Sequence, residues 1–71
     1  IKYMKNKLDW RDKKDKLISC DEKLKVLNEN FDEIKNVAQN AYDDAILMGC
    51  SENDFKSKLI LLIREMKFSY K

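Results

Sequence analysis

The sequence predicts an all-α fold: an antiparallel helical hairpin with a third, basic N-terminal helix. Three observations carry that prediction. Proline is absent and Gly49 is the only glycine, so both strong helix breakers are nearly missing. An a/d heptad seam runs through the middle of the chain. Serine-based caps recur where apolar periodicity begins, at Ser19 and again at Ser51.

The first helix is expected at about residues 2–18. Its apolar residues, Ile1, Tyr3, Met4, Leu8, Trp10, Leu17 and Ile18, form no continuous stripe. Arg11 to Lys16 is an uninterrupted polar run. A helix of this kind would attach mainly through its two ends.

The second helix is expected at about 20–48, entered through the S-x-x-E pair Ser19 and Glu22. Leu24, Leu27, Phe31, Ile34, Ala38, Ala41, Ala45 and Met48 alternate at spacings of three and four. Large residues fill the first half of this seam and alanines most of the second. Alanine admits a close neighbour, so bulky residues should face that half. A third helix, at about 52–68, offers Phe55, Leu59, Leu62, Ile63 and Met66 at helical spacing.

Gly49 suits the left-handed position after a helix end, and Ser51 with Asp54 repeats the cap as S-x-x-D. The short Gly49-Cys50-Ser51 connection makes the two long helices antiparallel neighbours. Further apolar residues flank the seam: Val26, Val37, Tyr42, Ile46 and Leu47 on one helix, Ile60, Leu61, Phe68 and Tyr70 on the other. Two helices cannot cover apolar surface that extends so far around each. The first helix or a second chain must cover it, giving a three-helix bundle or a dimeric helical bundle.

Seventy-one residues make a single domain near the lower size limit for a self-sufficient core. Chains this small often depend on disulfides, a metal or oligomerisation. Cys20 and Cys50 are the only cysteines and histidine is absent, so no tetrahedral zinc site is expected. No cofactor is indicated, and no small-molecule substrate. The longest apolar run, Leu59 to Ile63, is far shorter than a membrane span. The N-terminus has no apolar core of an export signal, and a reducing cytoplasmic location is the expectation. The chain opens on Ile1 rather than methionine, as a fragment would.

The net charge of +2 implies no polyanion partner by itself, but charge is unevenly divided. Residues 1–19 hold seven basic and three acidic groups, for +4. Residues 20–49 hold three basic and seven acidic, for −4, and residues 50–71 hold five basic and three acidic, for +2. The simplest use of this pattern lays the first helix against the second.

Several residues are candidate sites. The corner partly fits a DNA-reading helix-turn-helix, with Ala45 four before Gly49 and Met48, Cys50 and Phe55 at apolar positions. Asp44 and Lys58 occupy positions that motif would bury, and Glu52 and Asp54 would meet phosphates. A packing corner is the better reading. Asp43 and Asp44 oppose the dipole of a helix C-terminus; they read as a solvated or paired cluster, with a basic partner or a metal as the functional alternative. Lys2, Lys5, Lys7, Arg11, Lys13, Lys14 and Lys16 could contact phosphate or an anionic membrane, with Tyr3 and Trp10 between them, but Asp9, Asp12 and Asp15 break up the patch. Without histidine neither cysteine has a base to activate it, and no enzyme is expected.

The function these residues point to is a small non-enzymatic protein–protein interaction module: an adaptor, regulator or assembly subunit acting as a homodimer. Tyr42, Ile46, Ile60, Leu61 and Phe68 are the expected partner-binding residues. The alternative is a small nucleic-acid-binding regulator using the basic N-terminal segment. Salt separates the two, since phosphate binding weakens steeply with salt and apolar association does not. An unbroken helix at 20–48 would also hold Cys20 and Cys50 too far apart for a bond within one chain. Free thiols are therefore expected, with a covalent dimer as the product of oxidation.

Overall fold

The computed structural model describes residues 8–70 of the chain. It contains two helices, α1 (Asp21–Leu47) and α2 (Glu52–Arg64), forming a helical hairpin. The chain divides into two compact units, residues 1–36 and 37–71.

In the first unit the expected N-terminal helix is not found. Residues 2–7 of that expectation lie outside the described residues, and residues 8–20 are not helical. Asp12 supplies the physical reason. Its Oδ1 accepts the backbone N–H groups of Lys14 and Lys16, both at 2.9 Å. Its own N–H donates to the Lys16 carbonyl, and its carbonyl accepts from Asp15, again at 2.9 Å. Asp15 takes a left-handed φ of 66°, a conformation aspartate tolerates better than most residues. The result is a three-residue hairpin loop, a turn followed by a left-handed residue.

Around this loop Arg11 and Leu17 form an antiparallel bridge, and the Ile18 N–H donates to the Trp10 carbonyl at 2.8 Å. The Arg11 guanidinium closes the loop by donating to the Asp15 carbonyl at 2.7 Å. Aspartate side chains that bond nearby backbone groups compete with helix formation. The Arg11–Lys16 run has no apolar face whose burial would favour a helix instead.

The segment is held to α1 through Trp10. Its indole N–H donates to Asn28 Oδ1 at 2.8 Å, and its ring meets Phe31 edge to face at a centroid separation of 5.8 Å. Trp10, Ile18, Leu24, Leu27 and Asn28 are half-buried. The helix start differs from expectation by one residue. Leu24 N–H bonds the Cys20 carbonyl, which makes Cys20 the cap position, and among the described residues Ser19 forms no capping bond. Asp21 and Glu22 still occupy the first turn, where the helix dipole favours negative charge.

In the second unit the corner follows the sequence closely. Gly49 has φ 93°. Its N–H donates to Ile46 O at 3.0 Å, and that of Cys50 reaches back to Ala45 O at 2.9 Å. These two bonds constitute a Schellman motif, in which a left-handed residue satisfies carbonyls that the helix end leaves open. Ser51 then caps α2, its Oγ accepting from the Asp54 N–H at 3.1 Å. The Asp54 carboxylate does not reach back to the cap. It binds Lys58 Nζ one turn on, at 2.9 and 3.0 Å.

Tyr42 of α1 meets Phe55 of α2 edge to face, with centroids 5.6 Å apart. Ala38, Tyr42 and Ile46 on α1 are half-buried, as are Cys50, Phe55 and Leu59, and Ala45 is the one buried residue among those described, at 8% exposure. Positions 38, 42, 45 and 46 lie on one side of α1, rotated from the a/d seam toward Tyr42 and Ile46 and away from Ala41. The seam expected from sequence is therefore split. Leu24, Leu27, Ala38 and Ala45 are at least partly covered, whereas Phe31, Ile34, Ala41 and Met48 are exposed.

The end of α2 is a second correction. The helix stops at Arg64 instead of continuing to about 68. Glu65 N–H is shared between the Leu61 and Leu62 carbonyls, and Met66 N–H turns to Ile63, which tightens the final turn.

Candidate interaction surface

Leu59, Ile60, Leu61, Leu62 and Ile63 are consecutive apolar residues within α2. Successive helix residues point about 100° apart, so such a run presents apolar side chains on every side. α1 contributes cover on one side only, where Leu59 and Phe55 are half-buried. Ile60 remains 48% exposed, Leu61 54%, and Leu62 and Ile63 55% each. Such a stretch is normally enclosed, and this one is not.

The five residues expected to bind a partner fall into two groups. Ile60 and Leu61 lie in the exposed run. Tyr42 and Ile46 are half-buried, and the Tyr42 ring is already engaged by Phe55. Phe68 lies beyond the end of α2, 85% exposed, with its ring edge to face on Tyr70 at 5.7 Å. It is an exposed aromatic on the tail, not part of a helical face. Leu62, Ile63 and Met66 were expected to fill the hairpin seam, yet all three are exposed. The unbroken Leu59–Ile63 run was the available signal, because one neighbouring helix cannot cover it. Leu47 and Met48 add two exposed apolar side chains beside the corner.

Electrostatics around Tyr42 are well defined. Lys56 Nζ lies 5.5 Å from its ring centroid, within cation–π range. The phenol is held above its ordinary value of 10.0, first by partial desolvation and then by the Glu52 carboxylate, with Asp43 adding to the effect. Lys58 is raised above 10.5, chiefly by its hydrogen bonds to Asp54 and next by the charge of that carboxylate.

Asp43 and Asp44 are exposed, and Asp43 accepts from the Gln39 side chain at 3.0 Å. Among the described residues no cluster of three His, Cys, Asp or Glu could hold a metal. Lys2, Lys5 and Lys7 lie outside the described residues. Lys13 and Lys14 are exposed on the hairpin loop, whereas Arg11 is committed to Asp15. A shallow, open depression lined by Glu22, Lys23, Val26 and Leu27 is formed by one helix alone. Both cysteines are free thiols, Cys20 exposed and Cys50 half-buried. No described helix is long and apolar enough to cross a membrane.

The fold defines a helical hairpin whose second helix leaves Ile60 to Ile63 exposed. Comparison with protein families, curated proteins and solved structures finds no match to this chain.

Proposed function

We propose that this chain is a non-enzymatic protein–protein interaction module, an adaptor, regulator or assembly subunit that associates with itself through α2. The single observation supporting this reading is the half-exposed run Ile60–Ile63, whose side chains point to every side of the last turns of α2. Burying an aliphatic side chain of this kind contributes about 1.5–3 kcal/mol when complete. Four half-exposed side chains therefore leave several kcal/mol of stabilisation to be gained on association. Two free thiols fit a reducing, cytoplasmic setting.

The test is the double substitution Ile60→Lys with Leu61→Lys. Both residues lie away from the Phe55 and Leu59 side of α2, so helicity by circular dichroism should be retained. Self-association should be lost. Retained self-association with intact helicity would remove this surface from the account.

A further inference from the structure

Residues 8–18 are closed on themselves. The Asp12 bonds to Lys14, Asp15 and Lys16, the Arg11–Leu17 bridge and the Ile18 bond to Trp10 all lie within that stretch. The Arg11 guanidinium likewise returns to Asp15. Attachment to α1 is of another kind. Among the described residues the one hydrogen bond from residues 8–18 to α1 is that of Trp10 to Asn28, and the Trp10 ring meets Phe31. Trp10 and Ile18 are half-buried, and the other residues of the stretch are exposed. The corner is held by different residues: Tyr42 against Phe55, with Ala45 buried and Leu59 half-buried. The boundary between the two compact units, after residue 36, separates these two sets of contacts.

We infer that residues 8–18 are a strap that opens and closes over α1 while the corner stays folded. Opening breaks the indole hydrogen bond and the edge-to-face pair. Neither the Trp10 N–H nor the Asn28 amide is then stranded, because water reaches both. Segments with shallow apolar contact open at a lower free energy than the whole fold. Helix α1 runs unbroken from Asp21 to Leu47, so its first half is continuous with the part held at the corner. Extending an existing helix is far easier than nucleating one, and α1 can stay helical without the strap. Opening uncovers Leu24, Leu27, Asn28 and Phe31, spaced i, i+3, i+4 and i+7 on one stripe of α1. Asn28 is the polar member of that stripe, and the indole N–H is the donor it holds in the closed state.

Urea titration of the full chain, followed by Trp10 fluorescence and by helical circular dichroism, tests this. The indole emission should redden in a first transition, while the helical signal persists to a second at higher urea. Asn28→Ala should favour the open state roughly fivefold. It should move the first transition to lower urea and leave the second at or above its parent position. Ser51→Ala, which removes the cap of α2, should lower the second transition alone. A single transition shared by both signals in the parent would overturn the strap and make the chain one cooperative unit. Emission of a water-exposed indole in the fully helical chain without urea would overturn the closed state.

Discussion

The Trp10 indole N–H donates to Asn28 Oδ1 at 2.8 Å, joining the N-terminal loop to α1 across eighteen positions of sequence. With the Phe31 contact it anchors this segment on α1. Asn28→Ala should leave the indole without its acceptor and cost about 1 kcal/mol. Trp10 is the only tryptophan, so its fluorescence reports on this site alone. Emission should shift to the red in Asn28→Ala while helicity holds. An unchanged spectrum would mean that the anchor does not position the ring.

The corner was the most legible part of the chain. Gly49 and Ser51 each serve the purpose that their residue types announce, because capping depends on local backbone geometry. A Cβ added at Gly49 would meet nothing within 4 Å, so substitution there costs backbone strain alone. Gly49→Ala should destabilise by about 1–2 kcal/mol, and Ser51→Ala by about 1 kcal/mol through loss of the cap. Ser19→Ala should be close to neutral, since Cys20 takes the cap position. Denaturant titration of the three variants provides the comparison. A Ser19→Ala loss equal to that of Ser51→Ala would restore the capping box expected from sequence.

The seam was legible only in part. Its residues are spaced for a heptad, but the side of α1 that the hairpin covers is turned toward Tyr42 and Ile46, so two alanines on the same seam have opposite environments. Ala45 is buried and Ala41 is exposed. Ala45→Leu should overpack and cost about 1–3 kcal/mol, while Ala41→Leu should change stability little when measured in dilute solution. Thermal melts decide the matter; equal losses at both positions would return Ala41 to the core.

The N-terminal segment was misread for a different reason. Composition alone favours a helix there, with neither proline nor glycine present. Asp12 and Asp15 decide otherwise through bonds to nearby backbone groups, which hydrophobic periodicity does not register. The end of α2 was overestimated because apolar spacing runs on through Met66 and Phe68 although the backbone has turned away. Ile60 and Leu61 were identified as surface, whereas Leu62 and Ile63 were assigned to a seam that the hairpin does not extend to cover. Helical spacing names the faces that want burial, and it does not say whether a neighbour is present.

Alkaline pH should weaken the hairpin. The raised Tyr42 value means that the folded chain holds its phenolic proton more tightly than the unfolded chain, and Lys58 is likewise raised by Asp54. Folded protein thus binds more protons than unfolded in this range, and stability falls as pH rises through it. Both contributions are fully present below about pH 10 and lost above it. The Lys58 share is small because the pair is exposed. Melting temperature should decline above about pH 10, and Tyr42→Phe should reduce the slope. A slope identical in Tyr42→Phe would assign the alkaline loss to other groups.

The central claim is that a second copy covers the exposed run Ile60–Ile63 of α2. Sedimentation equilibrium of the unaltered chain, at loading concentrations in the tens of micromolar and low salt, measures this most directly. The account predicts a species of about twice the 8.5 kDa chain mass, dissociating on dilution. A single species at the chain mass across the whole range would contradict it.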